Sequence, residues 1–215
     1  MQTQRIAAQS ATACGACIVL LPGAYQQLAD FVHRGFDTAL HQRHVALDLI
    51  LAAPELAHLT DRNWLPRLHD EVVHPAHAAG DIVWLGGISL GAFMALRFAA
   101  QYPELIDGLC LIAPYLGSRM VAAEIAGSQS PPSWQPGALA DDDDERRIWR
   151  YLQGLHAPKP RVFLGFGRHD RFADSQRLLA RTVPHASSRQ IDGGHDWPVW
   201  RQLWDNFLDH YRAEP

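Results

Sequence analysis

Asp81-Ile82-Val83-Trp84-Leu85-Gly86-Gly87-Ile88-Ser89-Leu90-Gly91-Ala92-Phe93-Met94 runs from an apolar strand through a glycine-flanked serine into an apolar helix. A serine hydroxyl is a poor nucleophile unless a sharp strand-to-helix turn lifts it clear of the backbone, where a base can reach it. Gly87 and Gly91 stand two residues before and after Ser89, where any side chain would meet the neighbouring strand or helix as the chain bends. Gly-x-Ser-x-Gly also occurs in ordinary βα turns and resembles a phosphate-binding glycine loop at a helix N-terminus. The phosphate readings fail on the residues present. A P-loop needs a lysine just inside the helix, and the one lysine of the chain is Lys159. A dinucleotide fingerprint needs a second glycine where Ile88 stands.

The chain has 215 residues, 47% of them hydrophobic, which suits one domain spanning 1–215 with a substantial core. The net charge is −4, and no cluster of Lys or Arg is dense enough to track a nucleic acid or an anionic membrane. The expected partner is a small molecule. With Lys159 the only lysine, Schiff-base chemistry has no other residue to use, and its position between Pro158 and Pro160 marks a loop. The short apolar run Ile18–Leu21 leads straight into Pro22-Gly23, as a core strand does and a signal peptide does not. No run approaches the roughly 18 apolar residues of a membrane span. The expected location is the cytoplasm. Cys14 and Cys17 form a Cys-x-x-Cys that precedes a strand, whereas a redox pair normally follows one and opens a helix.

Strands are expected at Ala16–Leu21, Val45–Ala52, Ile82–Ile88, Ile106–Ala113, Arg161–Phe166 and Ser187–Ile191. Helical segments lie between and after them, at Gln26–Gln42, Trp64–Ala78, Leu90–Gln101, Glu145–Gly154, Ser175–Val183 and about Pro198–Tyr211. This alternation implies a three-layer α/β/α architecture around a mostly parallel sheet of about six strands. Ligands of such sheets bind outside the carboxyl ends of the strands. The helix after Ser89 is apolar nearly all round and belongs in the core. Residues 117–150 break the composition and suit a loop or short cap. Their acidic run, Asp141 to Glu145, lacks the alternating ligands of a calcium loop and reads as solvated charge leading into a helix N-terminus.

Two later strand ends complete a constellation. Phe163-Leu164-Gly165-Phe166-Gly167-Arg168-His169-Asp170 is a strand, a glycine turn and an aspartate. Gln190-Ile191-Asp192-Gly193-Gly194-His195-Asp196-Trp197-Pro198 is a strand, a flexible turn with a histidine, and a helix start. Ser89, Asp170 and His195 therefore fall on one sheet edge, in the order nucleophile, acid, base. Singly, Asp170 reads as a turn residue and His195 as a loop histidine; their joint placement makes them candidate catalytic residues. Asp174 is the reserve acid. Asp192 sits at a strand end, and Asp196, beside His195, suits a helix cap.

Gly87-Ile88-Ser89-Leu90-Gly91, Gly167-Arg168-His169-Asp170 and Gly193-Gly194-His195 together resemble the motifs of a small bacterial α/β-hydrolase, over about Ile18 to His210. The resemblance implies a serine hydrolase of esterase type with no cofactor and no metal, most simply a carboxylesterase acting on small to medium acyl esters. The family's oxyanion segment often begins His-Gly. Leu21-Pro22-Gly23-Ala24-Tyr25 occupies that place here, with proline for histidine, which leaves the backbone N–H groups of Ala24 and Leu90 as expected donors and Tyr25 in reserve. The resemblance also leads one to expect no room for the antiparallel strands that usually begin the sheet, and only a short cap. Tyr25, Tyr115, Phe172 and Trp197 adjoin the catalytic-edge loops and are candidate pocket walls, or equally core aromatics.

Three other readings stand beside this one. The same triad could cleave a thioester, an amide or a carbon–carbon bond next to a carbonyl. The scaffold could bind a ligand without turnover, against which the complete triad argues. The pairs His41/His44 and His74/His77 could serve a metal, but the His-Glu-x-x-His pattern is absent, since His69-Asp70-Glu71 continues Val72-Val73-His74.

Overall fold

The computed structural model describes residues 1–9, 15–55, 63–128 and 134–213. Seven strands, β1 (Gln2–Ile6), β2 (Ala16–Leu21), β3 (Asp48–Ala53), β4 (Ile82–Ile88), β5 (Gly108–Ile112), β6 (Arg161–Gly167) and β7 (Ser187–Ile191), form one sheet in the order β1-β3-β2-β4-β5-β6-β7. Every neighbouring pair is parallel except β1 with β3, which is antiparallel. The strand order turns back between β2 and β4, and the crevice beyond the carboxyl ends of strands at such a reversal is where open α/β sheets bind ligands.

β2 (Ala-Cys-Ile-Val-Leu-Leu) is buried on both faces, as a central parallel strand must be. Its alternate side chains enter two separate cores. Cys17, Val19 and Leu21 face one, and Ala16, Ile18 and Leu20 face the other. The first core is covered by α3 (Trp64–Leu68) and α4 (His74–Ala78) with the π-helical turn His69–Val73 between them, and by α5 (Leu90–Gln101), α6 (Arg119–Ala126), α7 (Asp144–Gln153) and α8 (Ala173–Thr182). The second is covered by α1 (Leu28–His33), α2 (Phe36–Gln42) and α9 (Trp197–Ala213). No helix among the described residues is long and apolar enough to cross a membrane.

The expected six strands become seven. The addition is β1, Gln-Thr-Gln-Arg-Ile, which also corrects the expectation that no antiparallel strand precedes β2. Its side chains are almost all exposed, so it carries no apolar alternation that would reveal a strand. The single helix expected over Gln26–Gln42 is two, divided where Gly35 adopts φ 74°, a left-handed conformation that glycine enters freely. The run Trp64–Ala78 is helical throughout but widens at His69–Val73. Pro75 has no N–H for the carbonyl of Glu71, and the π turn absorbs that missing bond.

The second core closes on an aromatic stack. Trp204 lies 5.3 Å from both Phe36 and Phe207, nearly parallel to each, and its indole N–H donates to the Phe36 carbonyl at 2.9 Å. That bond is buried and joins the C-terminal helix to the start of α2. Trp204→Phe keeps most of the ring area but strands the Phe36 carbonyl, so it should lower unfolding stability by about 1–3 kcal/mol. A urea titration in which the midpoint falls at unchanged slope checks this.

Candidate active site

Ser89 sits between β4 and α5 with φ 54° and ψ −111°, a left-handed conformation unusual for a residue with a Cβ. The turn is that tight because α5 crosses directly over the end of β2. A Cβ on Gly91 would overlap the carbonyl of Leu21, and one on Gly87 would lie 2.5 Å from the backbone carbon of Gly91. Two backbone bonds pin the serine from the β5 side. Its N–H donates to the Ile112 carbonyl at 3.0 Å, and its carbonyl accepts from the Tyr115 N–H at 3.2 Å.

The loops after β6 and β7 are knitted together. Arg168 N–H donates to the Ile191 carbonyl at 2.7 Å and His169 N–H to the Gly193 carbonyl at 2.9 Å. Gly167 permits this, since a Cβ there would stand 2.5 Å from the Gly193 oxygen. The junction delivers Asp170 and His195 to the same point. His195 Nδ1 lies 2.7 Å from Asp170 Oδ2, and its Nε2 lies 3.0 Å from Ser89 Oγ. A carboxylate can only accept, so Nδ1 carries the proton, and Nε2 is left to accept from the serine hydroxyl.

Among the described residues the buried polar or charged side chains are Ser89, Asp170, Gln176 and Thr182. Asp170 is the one carboxylate in that set. A buried charge is tolerated where it is fully bonded, and the Phe172 N–H donates to its second oxygen at 2.8 Å. The imidazole is flanked on two sides by rings set nearly perpendicular to it, Phe172 at 5.2 Å and Trp200 at 5.0 Å between centroids. Directly after β2, Gly23–Gln26 forms a turn in which the Gln26 N–H donates to the Gly23 carbonyl at 3.2 Å. The N–H groups of Ala24 in that turn and of Leu90 at the first position of α5 have no hydrogen-bond partner among the described residues. An unpaired N–H at Leu90 is what a helix N-terminus leaves.

The fold that carries these residues recurs in solved structures of low sequence identity. Est1E from Butyrivibrio proteoclasticus superposes with a TM-score of 0.69 at 14% identity, covering 99% of this chain and 93% of its own. MGS-MChE2, an alpha/beta hydrolase enzyme from the metagenome of sediments of the Mar Chica lagoon, Morocco, gives 0.59 at 18% identity, covering 99% and 94%. The chain has the α/β-hydrolase fold. No protein-family model matches it. An acetyl esterase from Caldicellulosiruptor saccharolyticus is 23% identical over 158 residues, 64% of this chain, which thus spans 57% of that relative's length.

Within this α/β-hydrolase fold, Ser89, Asp170 and His195 meet as the sequence predicts, whereas the candidate pocket aromatics divide. Tyr115 and Phe172 contact each other at 5.4 Å, and Phe172 reaches the imidazole. Tyr25 is fully exposed at the second central position of its turn, with φ 63°, and walls nothing. Trp197 is turned toward Phe31 and Phe36 in the second core, so it follows the core-aromatic alternative. Trp200, one helical turn on, takes the place beside the imidazole. Phe93, half-buried at 5.6 Å from Tyr115, joins the same group of rings. Both lie inside apolar helical runs and carry no signal beyond that of core residues.

The reserve acids are engaged elsewhere. Asp174 is exposed and paired with Arg177 at 3.0 Å. Asp192 is exposed, 3.2 Å from His169. Asp196 caps α9, accepting from the Val199 N–H at 3.2 Å. Cys17 is buried in β2, and Cys14 lies outside the described residues. Gly91→Ala should cost about 3 kcal/mol or more, because its methyl has only backbone to displace. Gly137→Ala, with nothing within 4 Å, is the matched control. Thermal melts of the two variants against wild type provide the check.

Proposed function

We propose that this chain is a serine hydrolase, in the first instance a carboxylesterase for small to medium acyl esters, with Ser89, His195 and Asp170 as its triad. The observation that carries the reading is the unbroken line from the Asp170 carboxylate through both imidazole nitrogens to the Ser89 hydroxyl, 2.7 Å and 3.0 Å long. The curated relative named an acetyl esterase supports the choice of an ester substrate.

In this reading Ser89 Oγ attacks the acyl carbonyl as His195 Nε2 takes its proton. Asp170 holds the imidazole in the required tautomer and offsets the positive charge that forms. The Ala24 and Leu90 N–H groups serve the developing oxyanion, a role for which a donor must not already be bonded within the fold. His195 returns its proton to the departing alcohol, leaving an acyl-serine. Water enters, loses a proton to the same nitrogen, and releases the acid. The buried carboxylate and the rings of Phe172 and Trp200 keep solvent from the imidazole flanks, so its hydrogen bonds hold their direction through both half-reactions.

Labelling by a fluorophosphonate probe, with turnover of p-nitrophenyl butyrate, tests the assignment. Wild type should label and turn over. Ser89→Ala and His195→Ala should lose labelling and most of the turnover, and Asp170→Asn should lose roughly 10⁴-fold in kcat while still folding. A folded wild type that neither labels nor hydrolyses the ester would overturn the reading.

A further inference from the structure

Four of the five residues in the acidic run Asp141–Glu145 are either exposed or paired with an arginine. Asp141 and Asp142 are exposed. Asp143 caps α7 and pairs with Arg146 at 3.1 Å, and Asp144 pairs with Arg97 at 2.6 Å. Glu145 differs. Half-buried like Asp143 and Asp144, it is instead turned onto the segment that follows β5 and has no cationic partner among the described residues. Its carboxylate accepts from the Ser118 hydroxyl at 2.7 Å and from the Tyr115 hydroxyl at 3.5 Å. Gly117, at φ 97°, makes room for it, since a Cβ there would stand 2.7 Å from the carboxyl carbon.

Tyr115 connects this carboxylate to the candidate nucleophile. Its N–H bonds the Ser89 carbonyl, and its ring belongs to a row of contacts, His195 to Phe172 to Tyr115, with separations of 5.2 Å and 5.4 Å. A substrate extended from Ser89 along that row would pass the rings of Phe172 and Tyr115 and end toward Glu145. Both hydroxyls donate into the carboxylate, so the remaining lone pairs of Tyr115 and Glu145 present acceptors only. Burial, and the Glu145 charge and hydrogen bond, raise the Tyr115 phenol above its ordinary value, which keeps it a neutral donor to Glu145. Two other charges adjoin the row: the Asp170 carboxylate is buried and bonded to His195 and the Phe172 N–H, and the Arg171 guanidinium, 4.9 Å over the Phe172 ring, is exposed and screened by water and salt.

We infer that Glu145, with the Tyr115 hydroxyl, is a specificity-determining pair that favours esters carrying a hydrogen-bond donor, an ammonium or hydroxyl group, several bonds from the ester, and disfavours esters carrying a carboxylate there. The inference rests on Ser89 being the nucleophile, and its test separates the two claims. The p-nitrophenyl esters of hexanoate, 6-aminohexanoate and adipate (monoester) vary the acyl side. The butyrate esters of hexanol, 6-aminohexanol and 6-hydroxyhexanoic acid vary the alcohol side. Turnover of the uncharged members reports the hydrolase itself.

The ratio of kcat/KM for the amino ester to that for the carboxylate ester reports Glu145. Wild type should prefer the amino ester in one series, and Glu145→Gln should reduce that ratio by roughly tenfold while leaving the uncharged ester within about threefold. Glu145→Ala carries the same expectation if the amide variant melts early. Wild type hydrolysing the uncharged esters with no amino preference in either series would overturn the inference, as would a preference unchanged in both variants. Such results would leave the serine hydrolase standing. Failure of every ester in wild type would overturn that reading first.

Discussion

The site depends on the close approach of α5 to the end of β2. Glycine at 87 and 91 lets two backbones come nearer than any Cβ permits. The chain can then reverse from strand to helix within one residue. That residue is Ser89, and its left-handed backbone costs on the order of 1–3 kcal/mol, held by the hydrogen bonds that clamp it to Ile112 and Tyr115. The same approach brings the backbone of Leu21 and Pro22 against the first turn of α5, where the Leu90 N–H next to the serine has no partner among the described residues. One packing constraint therefore sets the serine, its strain and the open first turn of α5 together.

A second constraint is the burial of the Asp170 carboxylate. It is compensated by His195 on one oxygen and the Phe172 N–H on the other. Because the loops after β6 and β7 share backbone bonds, neither Asp170 nor His195 is placed by its own loop alone. Phe172 links the two groups further, bonding the carboxylate through its backbone and flanking the imidazole with its ring. The covering helices contribute indirectly. α9 brings Trp200 against the imidazole, and the Trp204 stack ties α9 to the start of α2.

The sequence carried the central strands and the three polar residues at their ends because each signal there is local. A buried parallel strand is a continuous apolar run, and a strand end that needs a tight turn needs glycine. What was not legible is non-local. β1 is polar because it is an edge, and only its pairing with β3 makes it a strand. Trp197 and Trp200 are both tryptophans near His195 in sequence, and only the phase of α9 against the sheet decides which meets the imidazole. Tyr25 adjoins a catalytic-edge loop in the sequence, but in the turn at Gly23–Gln26 its side chain is fully exposed. Glu145 reads in the sequence as one more solvated acid. Its difference from Asp141 and Asp142 comes from α7 docking on the segment after β5, where the Trp149 indole also bonds the Leu116 carbonyl.

The two borders of the sheet have a further consequence. β1 and β7 are its outermost strands, and both are polar, Gln-Thr-Gln-Arg-Ile and Ser-Ser-Arg-Gln-Ile, with mostly exposed or half-exposed side chains. Each carries an arginine, Arg5 tied to Asp48 on the adjacent strand and Arg189 open to solvent. An open sheet ends in rows of unpaired amides that can recruit a strand from another molecule, and charge on the border strand opposes that recruitment. The least strand-like segments by composition are thus the ones that guard the sheet against growing from one molecule into the next.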